Sequence, residues 1–206
     1  RGVKVTLVDR KDELGGTINL AKLPPLKERM QNYIDYMGNQ LCKLGVNVQL
    51  GKEVTADDIA AMNPDAVVLA TGSKSIVPKS IPGADGANVF TVEEALTGKV
   101  DLTGKHVAMI GAGLTGLEAA EYLGEKGIKV TVVDMVDRPA PTAYIANVMD
   151  VMSRIKQMDI GFEFKNALKA VEADGVCIEN VETGEQKKVA CDAVVMSLGY
   201  KPDQNR

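Results

Sequence analysis

VAMIGAGLTGLEAAEYLGEKGIKVTVVD, residues 107–134, decides the fold. Its first four residues, Val107 to Ile110, are all apolar, the pattern of a parallel strand buried on both faces. Gly111 lets the chain turn sharply, Gly113 lets the backbone approach a pyrophosphate, and Gly116 lets the following helix pack close to the sheet. That helix is predicted to stop at Gly127. Its first N–H groups have no intrahelical partner and form a site for an anion. The next strand, Lys129 to Val133, ends in Asp134, whose carboxylate is placed to accept hydrogen bonds from both ribose hydroxyls of an adenosine. The order of strand, GxGxxG turn, helix, strand and acid predicts a nucleotide at Gly111, Ala112, Gly113, Leu114, Thr115, Gly116 and Asp134, with Met135 just beyond. The acid favours NAD(H) over NADP(H), because a carboxylate repels a 2′-phosphate. Arg138 either pairs with such a phosphate or is a solvated loop residue. His106, the only histidine, reads as an exposed residue at the start of the strand.

The end of this stretch occurs twice. GIKVTVVD at residues 127–134 is matched by GVKVTLVD at residues 2–9, and CDAVVMSLG at 191–199 by PDAVVLATG at 64–72. The nearly equal offsets argue for two homologous units. No strand and glycine turn stand before the earlier copy, so the first unit is expected to lack them. In the usual strand order the missing strand lies between residues 3–8 and 66–70, which predicts a gap in the sheet. Strands there would close together, take a strand from a neighbouring molecule or stay poorly ordered.

Composition narrows the function classes. A chain of 206 residues allows one large or two small domains. A net charge of −4 without basic clusters leaves no footprint for nucleic acid. No apolar stretch is long enough to span a membrane, and residues 26–44 read as an amphipathic crossover helix packed on the sheet. Cys42, Cys177 and Cys191 are scattered without metal-ligand spacing, so no metal site is expected, and they read as free thiols in a reducing, cytoplasmic setting.

Coarsely, the first unit is predicted to hold strands at 3–8, 46–50 and 66–70, a loop through Gly15 and Gly16, a helix after Pro25 and a short helix at 55–62. Residues 74–86, rich in Pro and Gly, read as a linker, and 92–96 as a helix. The second unit adds to the stretch already quoted a helix over 142–158, a strand at 160–164, a three-stranded antiparallel meander over 167–190 and a strand at 193–196. The fold class is therefore α/β, two Rossmann-like dinucleotide-binding units, the first incomplete and the second carrying the meander. Cofactor sites belong at the carboxyl ends of the parallel strands, where Asp9, Gly72, Gly111, Asp134 and Gly199 fall.

DELGGTINLAKLPPLKERM at 12–30, PDAVVLATGS, IPGADG and the stretch from Ile110 to Met135 resemble the C-terminal FAD/NAD(P)-binding region of the NADH:flavin oxidoreductase group, which includes 2,4-dienoyl-CoA reductase, 2-enoate reductase and relatives of trimethylamine dehydrogenase. The resemblance covers the whole chain, truncated at both ends. It implies a partial FAD (or ADP)-binding domain over 1–100, an NAD(H)-binding domain over 101–200 and the start of a return to the FAD domain over 201–206. It implies that Asp9, with Arg10 beside it, holds the first adenosine, that Gly15, Gly16 and Thr17 line that nucleotide, and that Thr71 and Gly72 approach it. Gly111 to Gly116, Glu118, Asp134, Leu198 and Gly199 would serve the nicotinamide nucleotide. Glu118 reads equally as an exposed helix residue.

The same resemblance implies a flavoprotein parent in which hydride passes from NAD(P)H to FAD and onward to a flavin barrel that reduces an enoate or enoyl-type substrate. FMN and an iron–sulfur cluster would belong to that missing N-terminal part. No cysteine pair follows Gly16, so the chain departs from the disulfide reductases that share the two-nucleotide fold. The expected partners are a nicotinamide nucleotide and the flavin barrel of the same polypeptide, with self-association through the incomplete sheet; neither nucleic acid nor membrane is expected. Competing readings are a non-catalytic ADP/nucleotide-binding module and another NADH oxidoreductase with two dinucleotide-binding domains. The chain alone is expected to be inactive, and no catalytic residue is assigned.

Overall fold

In the computed structural model, which describes residues 2–202, the chain divides into two compact units. One reaches to Ser73 and is taken up again at Pro202, and the other is Lys74–Lys201. The boundary expected at residue 100 thus lies near 73, for reasons visible in the second unit.

In the first unit, β1 (Thr6–Val8) pairs in parallel with β2 (Asn47–Gln49). The connection between them contains α1 (Ile18–Ala21) and α2 (Met30–Lys43). Helix α1 lies where only a loop was expected. The buried Asn19 amide donates to the Leu14 carbonyl at 2.9 Å, which folds the double glycine back on itself. After β2 comes α3 (Ala56–Met62), opened by a capping box in which the Thr55 hydroxyl accepts from the Asp58 N–H and the Asp58 carboxylate from the Thr55 N–H.

The strand expected over 66–70 pairs with nothing among the described residues. Val67, Val68 and Leu69 are 50%, 89% and 77% exposed, whereas Ala193 to Met196 in the matching segment are fully buried. The difference is one of neighbours. The later segment is hydrogen-bonded on both sides, while the earlier one has no described strand between itself and β1.

β3 (Ser73–Ser75) and β12 (Tyr200–Pro202) form a two-stranded ribbon. The rest of the second unit runs β4 (Val89–Thr91), α4 (Val92–Thr97), β5 (His106–Ile110), α5 (Leu114–Glu125), β6 (Lys129–Val133), α6 (Ile145–Ile155), β7 (Ile160–Glu163), the meander β8 (Asn166–Glu172), β9 (Gly175–Asn180) and β10 (Gln186–Ala190), then β11 (Ala193–Met196). Strands β4, β11, β5, β6 and β7 make a parallel five-stranded sheet in that order. Both its faces are covered, as its apolar strands require. On one side Ala108, Ile110, Val133, Val194 and Met196 pack against Val171, Val176 and Ile178 of the antiparallel meander. On the other side lie α5 and α6, which share a cluster of Leu117, Val148, Val151 and Ile155.

Residues 74–86 are part of this core and not a linker. Ala84 is buried, with Val77 and Ile81 packed beside it. The Val171 N–H donates to the Pro82 carbonyl at 2.9 Å. A Cβ on Gly83 would overlap the Val171 carbonyl, so that glycine marks a close approach to the meander. With β4 paired to β11 and α4 burying Val92, Ala95 and Leu96, the segment before residue 100 belongs to the second unit.

α5 and α6 are joined by an ion pair. Glu121 is buried, and Arg154 forks onto it, Nε to Oε1 and Nη2 to Oε2 at 3.3 Å, while Nη1 reaches Asp150 at 2.7 Å. Hydrogen bonding to Glu121 pushes the Arg154 guanidinium pKa further up, so the guanidinium stays charged. Glu121→Ala should cost about 3 kcal/mol, because it leaves a partly buried cation without its main partner. Asp150→Ala, at an exposed pair, should cost about 0.5 kcal/mol or less. Urea unfolding followed by circular dichroism compares the two, and equal costs would show that the helices are not held by this pair.

Candidate nucleotide site

Each glycine of the 111–116 turn does a different job. Gly111 sits at φ +112, and a Cβ there would overlap the Ser197 carbonyl at the end of β11. A Cβ on Gly116 would overlap the Gly111 carbonyl, so α5 can rest on the turn only with glycine at this position. At Gly113 nothing lies within 4 Å of the Cβ position, and the backbone faces open space.

Helix α5 begins there with Gly113 as its N-cap and no side-chain capping bond. α3 and α4 each close their first turn with a threonine capping box. The first N–H groups of α5 are therefore left for an anion, which the helix dipole also favours.

Asp134 fixes the turn from the next strand. Its Oδ2 accepts the Ala112 N–H at 2.6 Å and its Oδ1 the Val136 N–H at 3.2 Å. Each carboxylate oxygen carries two lone pairs, so both can still accept a ligand hydroxyl. The Ala112 carbonyl in turn accepts the Ala140 N–H at 2.8 Å, which ties the loop after β6 to the turn.

These elements line a groove of about 380 Å³ at the carboxyl edge of the sheet. Gly111, Gly113, Leu114, Thr115 and Asp134 lie on one part of it, and Ser197, Leu198, Gly199, Tyr200 and Val92 on the other. Of the residues expected at this site, seven of these ten are brought together. Ala112 and Gly116 lie buried beneath it as scaffold, and Glu118 is buried in α5, not exposed on the helix. Met135 and Arg138 are exposed on the loop after β6 and do not line the groove. Val92, Ser197 and Tyr200 are additions that the motifs did not signal. His106 stands at the opposite end of β5, half-buried, sharing a hydrogen bond with Thr131 Oγ1 at 2.9 Å; burial holds its pKa below the ordinary range.

The first unit does not gather its expected residues in the same way. Asp9 Oδ1 accepts the Lys11 N–H at 2.9 Å, the counterpart of the Asp134–Val136 bond. Arg10, Thr17, Thr71 and Gly72 are exposed, and open space surrounds the Cβ positions of Gly16 and Gly72. Gly15 is packed, with the Asn19 amide and Ile34 within 3 Å of its Cβ position. It lines an apolar groove of about 250 Å³ with Leu14, Ile18, Ile34, Met37 and Leu41. Among the described residues, no glycine turn at a helix N-terminus stands beside Asp9.

Cys42 is exposed, Cys191 buried and Cys177 half-buried, and all three are free. Among the described residues there is no cluster of His, Cys, Asp or Glu able to hold a metal ion, and no helix is long and apolar enough to cross a membrane.

Known proteins resemble the chain along its whole length. The chain is 34% identical over its full length to an NADH oxidase of Thermoanaerobacter brockii, of which it covers 32%. It is 31% identical over 98% of its length to a bilirubin reductase of Mediterraneibacter gnavus, covering 31% of that protein. A solved 2-naphthoyl-CoA reductase in complex with 2-naphthoyl-CoA superposes over the whole chain with a TM-score of 0.92 at 32% identity, the match covering 31% of that structure. The chain thus spans about a third of the length of these relatives. With a family match extending over residues 1–206, the chain belongs to the pyridine nucleotide-disulphide oxidoreductase family.

Proposed function

We propose that this chain is the nicotinamide-nucleotide-binding, electron-input module of a flavin-dependent oxidoreductase of the NADH:flavin oxidoreductase group, and that it takes NADH in preference to NADPH. The observation that carries this reading is the groove at the carboxyl edge of the second sheet, where an uncapped helix N-terminus, an open Gly113 and the Asp134 carboxylate meet. The helix N-terminus would receive the pyrophosphate, and Asp134 the adenosine ribose. A 2′-phosphate at that ribose would face the carboxylate, and Arg138, exposed and away from the groove, does not offset it.

The likeness to reductases over about a third of their length supports a larger parent, which on this reading is cytoplasmic. In it, a flavin barrel with FMN and an iron–sulfur cluster would act on an enoate or enoyl-type substrate. A flavin supplies the hydride acceptor in such chemistry, since no side chain in the groove can take a hydride. This chain's own residues bind and orient the donor. The absence of a cysteine pair after Gly16 sets it apart from dithiol-using members of the family.

Calorimetry with both nucleotides should give NADH at least tenfold tighter than NADPH, because a like-charge juxtaposition costs several kcal/mol. Equal or inverted affinities would show that a cation sets the preference. Asp134→Ala should weaken NADH by about tenfold or more and abolish the preference, as hydrogen bonds to a charged group are worth about 1.5–3 kcal/mol. Unchanged affinity would remove the ribose assignment.

The purified chain should show no visible flavin absorption and should not oxidise NADH. Adenosine contacts in the first unit, at about 0.5–1.5 kcal/mol each, fall short of the roughly 8 kcal/mol that micromolar affinity needs. Stoichiometric FAD uptake in a titration followed by absorption would show that the first unit is more complete than its residues suggest.

A further inference from the structure

The order of the sheet imposes an order on the groove. Its floor is formed by the carboxyl ends of β4, β11, β5 and β6, neighbours in that sequence. Adjacent strands lie roughly 4.8 Å apart. Asp134, which follows β6, and Tyr200, which follows β11, therefore flank the β5 turn on opposite sides. A dinucleotide with its first ribose on Asp134 and its pyrophosphate at Gly113 must carry its second nucleoside over β11. There it meets Tyr200, among the described residues the only aromatic one in the groove lining.

The local structure prepares that ring for a flat partner. Gly199, the residue before it, turns the chain at φ +88 with nothing within 4 Å of its Cβ position, so the groove is open at that point. Tyr200 is 38% exposed, and Val92 closes the same part of the groove from α4. Burial pushes the phenol pKa up, the nearby Ser75 hydroxyl pulls the other way and the Glu93 carboxylate adds to the rise, so the ring is neutral when a ligand arrives.

We propose that Tyr200 is a positioning residue for the second base of the dinucleotide, its ring stacking on the nicotinamide and fixing the plane from which hydride leaves. This rests on the groove binding a nicotinamide dinucleotide, as argued above. Stacking of an aromatic side chain on a planar base, lost on truncation to alanine, weakens binding by about five- to a hundredfold. Because the contact is made through the ring face and not through the hydroxyl, phenylalanine should replace tyrosine with little loss.

The test uses NADH and ADP-ribose, which differ by the nicotinamide. Calorimetry on the whole chain and on Tyr200→Ala and Tyr200→Phe separates the two halves of the groove. The expected result is that Tyr200→Ala weakens NADH about tenfold and leaves ADP-ribose within about twofold, while Tyr200→Phe binds both like the parent chain. If Tyr200→Ala weakens both ligands equally, or neither, the stacking assignment is overturned although the nucleotide reading stands. If Tyr200→Ala does not fold, Tyr200→Phe and Tyr200→Leu decide, since leucine keeps the apolar bulk without the ring; equal NADH affinity in these two overturns the proposal. If the parent chain binds neither NADH nor ADP-ribose, the nucleotide reading itself fails, and this inference with it.

Discussion

The contact on which the second unit depends is the approach of α5 to the turn that launches it, so close that a single methyl group at residue 116 would overlap the Gly111 carbonyl. This contact brings the helix axis over the end of β5 and aims its free N–H groups at the groove. Asp134 holds the opposite side of the turn through the Ala112 N–H, so the turn is pinned by a packing contact from the helix and a hydrogen bond from the neighbouring strand. The three layers of helices, parallel sheet and meander form the body from which both contacts are made.

What could be read from the sequence is what depends on local backbone demands. The apolar run of β5, the distinct duties of its glycines and the acid ending β6 each follow from a few adjacent residues, and each is found where it was expected. The alternation of the meander and the helix before it were legible for the same reason. Of the groove's other half only Leu198 and Gly199 were legible. Val92, Ser197 and Tyr200 come together because β11 inserts between β4 and β5, and no motif encodes that order.

Two segments show how context overrides composition. The AVV triplets at 66–68 and 193–195 are identical, yet the later one is a buried central strand and the earlier one an exposed run that pairs with no strand among the described residues. A short apolar strand exists only by virtue of its neighbours, and periodicity cannot supply them. Residues 74–86 carry the Pro and Gly of a linker, but Gly83 is there for a carbonyl of the meander. The boundary between the units moved with it.

The position of β11 also bears on how the second unit comes into being. The strand follows the other four of its sheet in the chain, and it lies in the sheet's interior, bridging β4 and β5 from about a hundred residues away. Until Met196 leaves the ribosome, β4 has no partner and β5 keeps a bare apolar edge, although β5, α5 and β6 can already assemble locally. Closing the sheet is then a single long-range event, which predisposes the nascent chain to a waiting intermediate and to capture by chaperones before it. The groove, which needs strand ends from both sides of that closure, takes shape only when β11 docks.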